Sequence, residues 1–181
     1  MPRVRAAGAI YHVSTQANRD DVLYVDAFDR RTYLAFLART AERHELQVHS
    51  WALMTTHYHL LFTTPNADVD RAMHRLNSAY AHWFNDVHGE VGHLFRRRYT
   101  AVLVETEGHL HWCYRYIARN PVVACLCERP EQWKWSSYGW LYGPPGPRHD
   151  LPSHGVHLLR HWGEGDEARR RLRRYVDTGI A

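Results

Sequence analysis

The stretch Leu53-Met54-Thr55-Thr56-His57-Tyr58-His59-Leu60-Leu61-Phe62 decides how this chain is read. The apolar run after the Thr-Thr connection predicts a strand over residues 57–63. On a strand, side chains two apart share a face. His57 and His59 therefore project side by side, and Tyr58 points the other way. Two neutral imidazoles held like this can grip one divalent metal ion. A single strand histidine is usually a core or surface residue. A pair flanked by Leu and Phe is different, because burying two imidazoles without partners is costly.

The flanking elements set the fold class. Residues 10–16 predict a first strand, ending at the polar turn Asn18-Arg19-Asp20-Asp21. Residues 29–44 carry helical spacing in Tyr33, Leu34, Leu37 and Ala41, with Asp26 or Asp29 as the cap. Residues 47–54 predict a second strand, before the histidine strand. Asp68 is placed to cap a long helix with Val69, Met73, Leu76, Tyr80, Trp83 and Val87 on one face, and Gly89 ends it. Residues 100–105 predict a fourth strand, and residues 108–120 a third helix stopped by Pro121. The order βαββαβα predicts an α+β chain: a ferredoxin-like antiparallel sheet with helices packed on one face. Residues 1–142 form the expected domain. In residues 143–181, Gly143-Pro144-Pro145-Gly146-Pro147 reads as a linker, followed by short helices over 155–162 and 164–177. This last stretch is expected to lie outside the main core.

Composition narrows the partners. The 181 residues suit one domain plus a short extension, and 45% hydrophobic content suffices for a core. No apolar run approaches the roughly 18–20 residues that cross a bilayer. Met1-Pro2-Arg3-Val4-Arg5 lacks the apolar stretch of a signal peptide. Cys113, Cys125 and Cys127 make no disulfide framework, so a reduced, cytoplasmic protein is expected. The net charge of +4 and pI of 9.1 point to a polyanion. Lys134 is the only lysine, and arginine grips phosphate bidentately. A GC-rich genome explains the arginines equally well, so charge supports this reading without carrying it.

The third helix offers a nucleophile. In Tyr114-Arg115-Tyr116-Ile117-Ala118-Arg119-Asn120-Pro121, Tyr116 and Asn120 are neighbours on one helix face, and Arg119 flanks it. Free tyrosine is only about 0.1% phenolate at pH 7, and a nearby cation favours that form. Such a tyrosine can attack phosphorus. The bland alternative is an amphipathic helix whose tyrosines pack on the sheet.

Over roughly residues 5–142 the chain resembles the single-tyrosine HUH transposases, that is, the REP-associated tyrosine transposases and their IS200-like insertion-sequence relatives. The resemblance rests on an ordered set of motifs. Gly8-Ala9-Ile10-Tyr11-His12-Val13 opens it, and His57-Tyr58-His59-Leu60-Leu61 matches the HUH motif. Leu76-Asn77-Ser78-Ala79-Tyr80, Phe84-Asn85, Gly92-His93-Leu94-Phe95 and Arg98-Tyr99 follow. Tyr116-Ile117-Ala118-Arg119-Asn120-Pro121-Val122 and Trp135-Ser136-Ser137-Tyr138 close it. The resemblance implies His57 and His59 as metal ligands, Tyr116 as nucleophile and Asn120 as the third ligand, with His12 a secondary candidate. It implies a metal-dependent single-stranded DNA endonuclease and strand transferase that forms a 5′-phosphotyrosine, with Mg²⁺ or Mn²⁺ as cofactor. The expected partner is single-stranded DNA beside hairpins or palindromic repeats, bound by a monomer or homodimer. One departure stands out. Family members often carry Arg-Gly-Asn after the first strand, where this chain has Gln16-Ala17-Asn18. A positive φ at that glycine would strain Ala17.

Two basic runs are candidate DNA contacts: Arg96, Arg97 and Arg98 after the long helix, and the last helix with Arg170 and Arg174, together with Arg119 beside the nucleophile. Three other readings compete. One is a non-catalytic ferredoxin-like nucleic-acid-binding module. Another is a zinc site of Cys113, Cys125 and Cys127, whose Cys-x-Cys spacing is unusual for zinc. The third is a metal-dependent hydrolase in which Tyr116 only packs.

Overall fold

Alternation along the histidine strand assigns two sets of helices to opposite faces of one sheet. The computed structural model describes residues 6–18, 22–144, 157 and 159–179. Its strands are β1 (Ala9–Gln16), β2 (Gln47–Leu53), β3 (His57–Thr64) and β4 (Thr100–Val104). They lie in the order β2-β3-β1-β4, with every neighbouring pair antiparallel. The helices are α1 (Ala27–Arg43), α2 (Val69–His88), α3 (Glu107–Val123), α4 (Ser137–Tyr142) and α5 (Gly165–Thr178). A short 3₁₀ turn, Pro130–Gln132, precedes α4. The first seven elements run βαββαβα, so the chain is the α+β, ferredoxin-like sheet expected from its sequence.

On one face, Tyr11, Val13, Trp51, Tyr58, Leu60 and Phe62 bury against α1 and α2. Tyr58 points there, as alternation requires. Its ring lies 5.0 Å from Tyr33, and its hydroxyl donates to Asn77 Oδ1 at 2.6 Å. Burying each such ring stabilises the fold by about 1.5–3 kcal/mol. The opposite face carries Ala52 and Leu61, and α3 covers it with Leu110, Cys113, Tyr114 and Ile117. The expected one-sided packing therefore holds for α1 and α2, while α3, α4 and α5 cover the second face. The reason lies in β3, whose residues from Tyr58 to Phe62 are buried on both sides, so each face needs a cover.

The end of the chain also departs from expectation. Trp162 and the α5 residues Ala168, Leu172 and Val176 are buried with Leu110 and Tyr114 in this second core. Arg115 Nε donates to the Val176 carbonyl at 3.2 Å. Trp162 and α5 are thus part of a core rather than an appendage to one. Of the expected linker, residues 145–147 lie outside the described residues. So do 155, 156 and 158 of the expected helix over 155–162, and residues 159–162 form turns. Residues 19–21 of the turn after β1 are likewise outside.

Local chemistry sets the helix ends. Asp26 caps α1, accepting from the Phe28 and Asp29 amides at 2.6 and 3.0 Å. The Asp68 side chain does not cap α2. It accepts from the Thr64 hydroxyl at 3.0 Å and faces His44 Nδ1. Gly89 ends α2 at φ 67°, which glycine adopts without strain. Thr106 caps α3, which runs through Pro121 to Val123 instead of stopping at Asn120. Proline removes one amide from the last turn. That turn still closes, because the Ala124 amide donates to the Asn120 carbonyl at 2.9 Å. Among the described residues, no helix is long and apolar enough to cross a membrane.

Candidate active site on the α3 face

The site forms where α3 crosses the His57 end of the sheet. β3 presents His57 and His59 on the face that α3 covers, their ring centroids 5.1 Å apart. β1 runs alongside, pairing Ser14 with His59. That register makes His12 a diagonal cross-strand neighbour of His59, within reach of a long side chain. On α3, Trp112, Tyr116 and Asn120 recur every four residues and form one stripe. Leu110, Cys113, Tyr114 and Ile117 anchor the helix in the core and fix where that stripe points.

Five of the sequence candidates meet here: His12, His57, His59, Tyr116 and Asn120. His57 Nε2 lies 3.0 Å from Asn120 Oδ1. The Tyr116 ring stands edge-on to His59 at 5.2 Å and to His12 at 5.7 Å. Tyr116 is 38% exposed, whereas His59 is only 6% exposed. His12 Nε2 lies 3.1 Å from His59 Nδ1. His12 therefore meets His59 at Nδ1 and leaves its Nε2 unpartnered. Burial lowers the His59 pKa to about 3, with the neighbouring His12 and His57 adding to the effect. Burial, helped by His109, lowers that of His12 to about 4. Both rings are neutral at pH 7, the form that can bind a metal.

The donor set suits a metal ion. His59 Nε2 is buried without a hydrogen-bond partner, a costly arrangement for a ring nitrogen. If His59 gives its Nδ1 proton to His12, this orphan nitrogen carries a free lone pair. Two adjacent ligands each about 2.1 Å from one ion sit about 3 Å apart. That is the separation of His57 Nε2 and Asn120 Oδ1. Among the described residues, no three His, Cys, Asp or Glu side chains converge on a metal position. The oxygen that meets His57 is the side-chain amide oxygen of Asn120. Cys113 is buried in the second core, Cys125 is exposed and Cys127 half-buried, so the three cysteines form no such group either.

The arginines separate into distinct surfaces. Arg96, Arg97 and Arg98 are exposed and line an open groove between α2 and the segment before β4, with Arg71, Arg75 and His93. Arg119 is half-buried, and neither hydrogen bond nor ion pair joins it to Tyr116 among the described residues. On α5, Arg170 pairs with Glu167 at 2.8 Å and Arg174 is exposed. Both lie opposite the buried stripe of Ala168, Leu172 and Val176. Ala17 is fully buried and extends the sheet, its amide donating to the Thr56 carbonyl at 2.7 Å. Positive φ occurs at Glu45, Ala67 and Cys125 but not at Ala17, so the Gly-to-Ala departure carries no strain.

Sequence reasoning missed Trp112. Its ring stacks on Tyr116, centroids 4.8 Å apart and planes 16° apart, and it is 51% exposed. The available signal was its position four residues before Tyr116.

A solved structure shares this architecture. The structure of a REP-associated tyrosine transposase bound to a REP hairpin superposes with a TM-score of 0.69 at 14% identity, covering 88% of this chain and 98% of that one. A candidate transposase from Deinococcus radiodurans R1 overlaps with a TM-score of 0.45 at 20% identity, over 65% of this chain and 95% of that one. No curated protein matches the chain. The model of the family described as "Transposase IS200 like" matches residues 7–120, a span that contains His12, His57, His59, Tyr116 and Asn120. With the histidine pair, the tyrosine and the asparagine gathered on one face of such a sheet, the chain belongs to the IS200-like transposase family.

Proposed function

We propose that this transposase is a metal-dependent single-stranded DNA endonuclease and strand transferase in which Tyr116 is the nucleophile. The observation that carries the reading is the approach of a solvent-accessible tyrosine to His59, buried beside His57, whose own ring meets the amide oxygen of Asn120. Tyr116 Oη attacks the scissile phosphorus, and the bond from phosphorus to the 3′ oxygen breaks. The departing 3′ oxygen takes a proton, leaving a 3′-hydroxyl and a 5′-phosphotyrosine. A second 3′-hydroxyl reverses the step and releases Tyr116. The phosphodiester energy is kept in the covalent bond, so no nucleotide triphosphate is consumed. His57, His59 and Asn120 would hold Mg²⁺ or Mn²⁺, which when bound neutralises charge on the phosphate. Fixed imidazoles and amide keep the donors in place, and His12 orients the His59 ring.

The substrate is single-stranded DNA beside a hairpin. The related REP-associated transposase is one bound to a REP hairpin. In this chain, Arg96, Arg97 and Arg98 line an open groove, where their charge can neutralise backbone phosphates. Arg119, Arg170 and Arg174 are further phosphate contacts in this reading. The test is incubation with labelled hairpin oligonucleotides and Mn²⁺. A protein–DNA adduct that survives denaturation is expected, lost in EDTA and in Tyr116→Phe. Cleavage at full rate in EDTA rules out the metal. Cleavage without an adduct points instead to a hydrolase in which Tyr116 only packs.

A further inference from the structure

We propose that Trp112 is the stacking platform for the DNA base beside the scissile phosphate. The inference rests on the Tyr116 reading above and adds to it a site for the substrate's base. An indole that is half exposed serves no purpose in the core, and Trp112 belongs to neither buried cluster. It is nevertheless held in a defined pose, nearly parallel to the Tyr116 ring. His109 supports it from the preceding turn at 6.2 Å. The α3 stripe thus presents three different chemistries in order: an open aromatic face, a phenol and a metal-facing amide.

A phosphate placed for attack by Tyr116 lies against His57, His59 and Asn120. Its flanking bases hang one sugar away and are unpaired, because the substrate is single-stranded. Trp112 is the exposed aromatic face next to Tyr116, and unpaired bases stack on such faces whatever their identity. The chain's positive charge brings the backbone in, and the indole then fixes the nucleotide laterally. The occupant this chemistry selects is an unpaired nucleobase. A protein partner would need a broader apolar patch than the exposed rings of Trp112 and Tyr116 offer.

The probe is a DNA hairpin with a single-stranded flank, selected from a randomised pool on the Tyr116→Phe protein. Cleavage by the native protein locates its scissile phosphate. Binding is then measured in the Tyr116→Phe background, with the probe intact and with the base removed on either side of that phosphate. Loss of one of these bases is expected to weaken binding ~10-fold or more. Trp112→Leu should show the same loss on the intact probe and no further loss when the base is removed. Trp112→Phe should keep most of the affinity and the sensitivity to the missing base. Trp112 is exposed, and an unchanged unfolding midpoint would show that Trp112→Leu remains folded. If Trp112→Leu loses as much on base removal as its parent, the indole does not hold the base and the proposal is overturned. A selected probe that native protein binds but never cleaves overturns the Tyr116 reading first, and with it the placement of the base.

Discussion

His59 shows how much one ring must do at this site. Its Nδ1 faces His12 at 3.1 Å, and its Nε2 is buried without a partner. A metal on Nε2 requires the tautomer with the proton on Nδ1, donated to His12 Nε2, and the lone pair on Nε2. Removing His12 removes the group that selects it. His12→Ala is therefore expected to weaken Mn²⁺ binding about 10–100-fold, measured by titration of the DNA-free protein. Unchanged Mn²⁺ affinity would dispose of this role. The two tyrosines of α3 separate just as sharply. Tyr114 is buried, and burial drives its pKa far above the ordinary value, so its hydroxyl stays protonated. Tyr116 is accessible. Tyr116→Phe should abolish the covalent adduct while changing DNA affinity by no more than about twofold. Tyr114→Phe should leave the adduct. An adduct in the first variant, or its loss only in the second, sinks the assignment.

At the scale of elements, α5 and the groove before β4 ask different questions. α5 turns Leu172 into the second core, where it is 3% exposed beside α3. Leu172→Ala is expected to cost about 2–5 kcal/mol, read from the midpoint of chemical unfolding. Deleting residues 148–181 should be worse, because it uncovers Leu110 and Tyr114 as well. A truncated chain that unfolds at the native midpoint would contradict this. It follows that truncation is a poor probe of DNA contacts on α5, and point changes are needed. Replacing Arg96, Arg97 and Arg98 with Ala together should flatten the salt dependence of binding. The slope of log K against log salt should fall by about 2, at about 0.7 per phosphate on a single strand. Replacing Arg170 and Arg174 gives the matching test on α5, and an unchanged slope there removes that face from the DNA surface.

For the whole molecule, neutral buried histidines tie stability to pH. Burial lowers the pKa of His59 and His49 to about 3 and that of His12 to about 4, from an ordinary 6.5. Once unfolded, each takes up its proton near 6.5, so the unfolded chain binds more protons across that window. Stability is fully present above about 6.5 and falls as pH drops toward 4. Each proton taken up contributes a slope of about 1.4 kcal/mol per pH unit. Denaturant unfolding at pH 7 and pH 5 should show the loss, and a flat profile would mean that these rings are not buried neutral. The sequence by itself determined the order of the first seven elements, the shared face of His57 and His59 and the helix face of Tyr116 and Asn120. Periods of two and of about 3.6 residues are local, so they are legible without the fold. Only the tertiary structure decided that α3 lies over the histidines, that His12 meets His59 at Nδ1 while Asn120 meets His57, and that α5 belongs to the core. Trp112 likewise acquires its meaning only from the ring it stacks on. Each of these depends on which residues distant in the chain are brought within a few ångströms. That is set by how the two faces of one sheet are covered, and no local spacing records it.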